Sequence, residues 1–171
     1  MNILEKMAAI SVFVFDVDGV MTDGSLLIMP GGDYLRTMNV KDGFALQLAV
    51  KKSFRVIVIS GAKSALVEER MKYLGITEIF MGVKNKKDTL NNLLTPDEQK
   101  KVLFMGDDLP DLDLLRNVFL SCCPADAAPE ILETAAYCSP FGGGKGCVRD
   151  VVEKVMKLQG KWLNDDQLAA I

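Results

Sequence analysis

Two carboxylates at alternate positions, Asp16 and Asp18, close the apolar run Val12-Phe13-Val14-Phe15, and Gly19 follows at once. Such a run reads as a strand buried on both faces. A buried strand ending in two carboxylates is costly unless a divalent cation compensates the charge. A second acidic group, Asp107, Asp108 and Asp111 in GDDLPD, follows the apolar run Lys101–Met105. Ser60-Gly61 closes a third run, Phe54–Ile59, and Lys86 opens the segment after a fourth, Ile76–Met81. The chain has no histidine. That removes Ser-His-Asp and Cys-His machinery and the usual zinc sites. Acid–base chemistry then falls to Asp, Glu, Lys, Tyr or Cys, and a metal held by oxygen ligands favours Mg²⁺ among hard cations.

Taken singly these motifs have plain structural readings. A DxD pair can be a solvated turn, Ser-Gly a turn, and GDDxxD a helix N-cap that complements the dipole. Lys84 to Lys87 can be a solvated basic face. Together, each at the C-terminal end of a strand, they fall where an open parallel sheet binds ligands.

The elements that must position them alternate strand and helix, which means α/β with a parallel sheet and helices on both faces. Ser25–Met29 and Tyr34–Met38 flank the turn Pro30-Gly31-Gly32-Asp33 and predict a β-hairpin inserted after the first strand. Its apolar arms are expected to pack on the body or on another subunit, because a lone hairpin is marginal in water. Asp42 is expected to cap a helix over 44–52. A helix over 63–74 is expected to bury Leu66, Val67, Met71 and Leu74 and to end at Gly75. Further helices are predicted over 85–94, 127–134 and 148–158, and strands over 117–122 and 137–138. The GGGKG run, 142–146, reads either as a connector or as a backbone-amide nest that receives an anion together with Lys145.

Length and composition fit one domain over 1–160, with a flap at about 24–39 and a weakly patterned tail over 161–171. A formal charge of −3 and the lack of a basic run give nucleic acid no footprint. No apolar run approaches the ~20 residues of a membrane span, and no signal peptide is legible, so a cytoplasmic protein is expected. The four cysteines, Cys122, Cys123, Cys138 and Cys147, lack CxxC spacing and are expected to be reduced, buried thiols.

DVDGV, ISG, Lys86 and GDDLPD resemble, in order and wording, the four motifs of the haloacid dehalogenase-like (HAD) phosphohydrolases. The resemblance spans roughly 11–155. DVDGVMTDG, NVKDG at 39–43 and GGGKG are similar to the capless group of that superfamily, the 3-deoxy-D-manno-octulosonate 8-phosphate (KDO 8-phosphate) phosphatases. It implies a three-layer Rossmann-like fold without a cap domain, and a Mg²⁺-dependent phosphatase working through an aspartyl-phosphate. Asp16 is then the nucleophile, and Asp18 protonates the leaving oxygen and later deprotonates water. Asp16, the Asp18 carbonyl and Asp107 hold the metal. Ser60, Gly61 and Lys86 meet the phosphoryl group, and Lys63, Arg70 and Lys145 the rest of the substrate. Asp108 orients Lys86 or a metal-bound water, and Asp111 caps the next helix or stands behind the ligands. The relatives' hairpin builds a homotetramer in which a neighbouring subunit roofs the site.

Position 62 departs from the pattern: many relatives carry Arg there, or Glu in some nine-carbon enzymes, and this chain has Ala62. The sugar therefore stays open between KDO 8-phosphate, which would place the enzyme in lipopolysaccharide precursor synthesis, and a nine-carbon ulosonate (KDN or N-acylneuraminate) 9-phosphate. Outside the enzyme class, a phospho-receiver domain shares Asp, Ser/Thr, Lys and Mg²⁺, but its acceptor ends a later strand. A non-catalytic scaffold would have no use for the whole set.

Overall fold

The computed structural model describes residues 1–31 and 34–162. Helix α1 (Ile3–Ala9) leads into β1 (Val12–Phe15), and the hairpin strands β2 (Leu27–Ile28) and β3 (Tyr34–Leu35) follow. Then come α2 (Val40–Lys51), β4 (Arg55–Ser60), α3 (Ala65–Tyr73), β5 (Glu78–Met81) and α4 (Lys86–Leu93). After a 3₁₀ turn the chain runs through β6 (Val102–Met105), α5 (Leu112–Asn117), β7 (Leu120–Cys123), α6 (Pro129–Thr134), β8 (Tyr137–Cys138) and α7 (Cys147–Leu158). Six strands form one parallel sheet in the order β5-β4-β1-β6-β7-β8. This is the expected Rossmann-like α/β architecture.

The apolar run of β1 explains its central place. Phe13 and Phe15 enter one core with Met7, Leu46, Met71 and Val151, while Val12 and Val14 enter the other with Leu90, Leu115 and Ile131. With both faces buried, the strand pairs β4 on one side and β6 on the other, so Phe15 lies opposite both Val58 and Met105. The chain reverses its direction of travel across the sheet at β1. The crevice beyond its carboxyl end is the topological switch point where such sheets bind ligands.

Several local expectations shift. Helix α1 is additional to the predicted elements; Asn2 and Glu5 close a capping box at its start. Helix α5 occupies residues between GDDLPD and the next strand, which begins at Leu120 rather than 117. Leu66 is 59 % exposed, because α3 buries Val67, Met71 and the adjoining Leu74, and Leu66 lies about a quarter-turn off that stripe. The paired part of the hairpin is only two residues per arm. Leu26, Leu27, Ile28, Met29 and Tyr34 are exposed in the single chain; Gly32 and Asp33 of the predicted turn lie outside the described residues. Three cysteines are buried, with Cys122, Cys123 and Cys147 thiols pushed up by desolvation, but Cys138 is exposed on the edge strand. Trp162, assigned to the tail, is 5 % exposed and belongs to the core; 163–171 lie outside the described residues. No helix among the described residues is long and apolar enough to cross a membrane.

Asp42 does not cap its own helix. Asn39 takes that place, accepting from Lys41 N, and α2 starts at Val40. The buried Asp42 carboxylate instead accepts from Arg149 N at 2.8 Å in the first turn of α7, tying the two helices that pack most closely. Desolvation raises its carboxyl above the ordinary value, so the charge itself is costly there. Asp42→Ala is expected to lower stability by about 1 kcal/mol at pH 7, a typical capping loss. Asp42→Asn keeps an acceptor without the buried charge and should lose clearly less in thermal melts.

Candidate active site

Asp16 is the first residue past β1; its N–H continues the ladder by donating to Met105 O at 3.1 Å, and the residue is only 7 % exposed. Lys86, the first residue of α4 behind the cap Asn85, is equally buried. Its Nζ lies 2.9 Å from Asp16 Oδ1 and 2.6 Å from Asp111 Oδ1. The other oxygen of Asp111 accepts Asp107 N at 3.1 Å. One buried carboxylate therefore fixes both the lysine and the loop after β6. Gly106 leaves room for it, since a Cβ there would stand 2.5 Å from Asp111 Oδ2.

Asp111 thus orients Lys86, one of the two roles expected of Asp108. Asp108 lines the cavity too, but its Oδ1 accepts Leu109 N at 2.8 Å, capping the short 3₁₀ turn, and it is Asp111 that turns to Lys86 without a capping bond to α5. Spacing alone could not separate the two, because which carboxylate turns inward depends on the turn that Leu109-Pro110 makes.

Carboxylate oxygens of Asp16, Asp107 and Asp111 lie within 4.8 Å of one another. Asp107 Oδ1 is buried with no hydrogen-bond partner among the described residues. Gly19, at φ +84°, passes so close that a Cβ would stand 1.9 Å from Asp107 Oδ2. Burial, then repulsion from Asp111, raises the Asp16 carboxyl to about 6 despite Lys86. Burial, then repulsion from Asp16, Asp111 and Asp108, raises Asp107 to about 7. Burial alone would lower the Lys86 pKa, but Asp16 and Asp111 more than offset it and the pKa is raised, so the ammonium persists. Three crowded carboxylates, one with an orphaned oxygen, fit a hard divalent cation with oxygen ligands.

Ser60 ends β4 almost fully buried, and its Oγ accepts Ala62 N at 3.2 Å, leaving the hydroxyl proton free to donate. Asp16, Asp18, Ser60, Gly61, Lys86 and Asp107 all line one cavity of about 340 Å³, with Ala62 on its wall. Asp18 there is paired with Arg36: Nε to Oδ1 at 2.6 Å and Nη2 to Oδ2 at 3.0 Å. Sequence reading missed Arg36. The signal was a single charge within an otherwise uncharged hairpin arm, Tyr34-Leu35-Arg36-Thr37-Met38.

Three residues expected at the substrate do not line this cavity. Lys63 packs its stem over Gly82, Arg70 stacks on Tyr73 and fills the space left by Gly43, and Lys145 pairs with Asp23 at 3.5 Å. In the run 142–146 the amides of Gly143, Gly144 and Lys145 already donate within the protein, to Asp126, Val20 and Gly142, and these three are not open to an outside anion. The glycines serve close packing instead, since a Cβ at Gly143 would stand 2.0 Å from Gly19 O.

No protein-family model matches the chain. It is 36% identical over 164 residues to the 3-deoxy-D-manno-octulosonate 8-phosphate phosphatase KdsC of Escherichia coli K12, covering 94% of this chain and 86% of that protein. Its fold is similar to the crystal structure of the phosphatase of the same name from Yersinia pestis, with a TM-score of 0.88 and 33% identity over 94% of this chain and 88% of that one. The corresponding Moraxella catarrhalis structure, in complex with a magnesium ion, a phosphate ion and KDO, gives a TM-score of 0.87 and 29% identity over 93% and 92% of the two chains.

Both raised carboxyls titrate above the ordinary value of 3.8, so their protonation stabilises the metal-free fold at low pH. That contribution is lost as pH rises through about 6 and 7. A cation replaces it by binding the ionised forms. The rise in melting temperature on adding Mg²⁺ should therefore be small at pH 5 and grow to pH 7.5. Gly19→Ala, which displaces Asp107, should abolish that rise.

Proposed function

Because the chain belongs to the 3-deoxy-D-manno-octulosonate 8-phosphate phosphatase family, we propose that it hydrolyses the terminal phosphate of that eight-carbon ulosonate with Mg²⁺ as cofactor. The observation that carries the reading is Asp16, held at the end of β1 between Lys86 and two further carboxylates and lining the cavity.

In the first half of the reaction an Asp16 oxygen attacks phosphorus and the bond to the sugar oxygen breaks, with Asp18 giving that oxygen a proton. In the second, water attacks the aspartyl-phosphate, Asp18 accepts its proton, and phosphate leaves. Lys86 sets a fixed positive charge beside Asp16 where negative charge spreads in the transition state. Asp111 holds that ammonium in place, and Ser60 Oγ–H with Gly61 N–H can donate to phosphoryl oxygens. Asp16, the Asp18 carbonyl and Asp107 would hold the metal, whose charge offsets the repulsion between carboxylate and phosphate. Asp111 is a further carboxylate within reach of it.

The exposed hairpin arms support a homotetramer in which a neighbouring flap roofs the cavity and brings further contacts to the sugar. The family supports a single domain, a cytoplasmic location and a role in lipopolysaccharide precursor synthesis. Ala62 puts no charge on the cavity wall, so the choice between eight- and nine-carbon ulosonates rests on other groups.

Phosphate release with Mg²⁺ from KDO 8-phosphate, two nine-carbon 9-phosphates and simple hexose phosphates tests the reading. A preference for KDO 8-phosphate is expected; a nine-carbon preference would keep the mechanism and move the pathway. Asp16→Asn should fall to background, and Asp111→Asn should lose roughly 10- to 100-fold in kcat, as for a group that orients another. Sedimentation should give a tetramer, and Ile28→Asp should dissociate it with loss of activity.

A further inference from the structure

Arg36 is the point at which the flap touches the chemistry. It follows β3 directly, and its side chain is only 7 % exposed although the arm around it lies open. The guanidinium meets the Asp18 carboxylate fork to fork, at 2.6 and 3.0 Å, and its remaining nitrogen, Nη1, donates to Tyr34 O at 3.2 Å. Asp18 has no other side-chain hydrogen bond among the described residues.

We propose that Arg36 is a positioning residue for Asp18, holding the carboxylate oriented for the half-reaction in which it takes a proton from water. This rests on the aspartyl-phosphate reading above. A bidentate guanidinium pair fixes the plane of a carboxylate and leaves both of its oxygens accepting. That is the state needed when water oxygen bonds to phosphorus, the P–O bond to Asp16 breaks with its electron pair returning to Asp16, and the water proton passes to Asp18. In the earlier half Asp18 must carry a proton on one oxygen, and a guanidinium N–H must then give way. The pair therefore serves the second half more than the first. Lysine offers a point charge without the fork and cannot reproduce it.

The test uses the full chain with Mg²⁺ and p-nitrophenyl phosphate, whose leaving group needs no acid, in rapid mixing. Arg36→Gln and Arg36→Lys should lower kcat by roughly 10- to 100-fold, within the range a positioned base supplies, with KM changed less than about twofold. Because dephosphorylation becomes limiting, nitrophenolate should appear in a burst of about one equivalent per site. Millimolar guanidinium should restore part of the kcat of Arg36→Ala. Unchanged kcat with a lowered melting temperature would mark a structural pair and overturn the proposal, as would a loss confined to KM or a slowed burst phase. If the wild-type protein releases no phosphate from this compound or from any ulosonate phosphate, the phosphatase reading fails and the proposal falls with it. Activity in the wild type with unaffected Arg36 variants sinks the proposal alone.

Discussion

The ammonium of Lys86, shared between the buried carboxylates of Asp16 and Asp111, is the interaction on which the catalytic end of this fold depends. Burying a carboxylate costs several kcal/mol unless it is paired and hydrogen-bonded. Here one lysine faces three such groups. Burial first, and then the repulsion of their neighbours, pushes Asp16 and Asp107 up, and Asp107 Oδ1 is left without a hydrogen-bond partner among the described residues. A site this short of positive charge is built to be completed by a cation and to keep its nucleophile aligned meanwhile.

The sheet makes that crowding possible. Adjacent parallel strands lie about 5 Å apart, so the residues just beyond β1, β4 and β6 meet whatever their separation in sequence. Glycines then permit approaches that any side chain would block. Gly19 lets the loop after β1 pass over Asp107, Gly106 makes room for Asp111, and Gly143 lets a distant loop press on the backbone of Gly19. The same loop is held from behind by α7, whose first turn is tied to α2 through Asp42.

The flap contrasts with this rigid edge. Its strands pair over two residues each and expose most of their apolar side chains, so little within one chain holds it. The contact it makes with the catalytic groups is ionic and directional, Arg36 on Asp18. A device that must admit a substrate and still orient a reacting carboxylate is well served by such a pairing, since charged hydrogen bonds fix geometry without a large packed interface.

Much was legible from residue types and spacing alone. Strand-length apolar runs, each ending in a polar motif, pointed to the parallel sheet and to Asp16, Asp18, Ser60, Lys86 and Asp107, which line one cavity, because side-chain periodicity and the rule of binding at strand ends are local properties. Four things were decided only in the tertiary structure. Asp111 rather than Asp108 turns toward Lys86, because the 3₁₀ turn at Leu109-Pro110 sets which carboxylate faces inward. Asp42 caps a helix more than a hundred residues away, and the GGGKG run packs closely, with Gly143 and Gly144 donating to Asp126 and Val20, because these partners come from distant segments. Arg36 reaches Asp18 across the flap, a contact that depends on how the hairpin folds back and leaves no periodic trace in the chain.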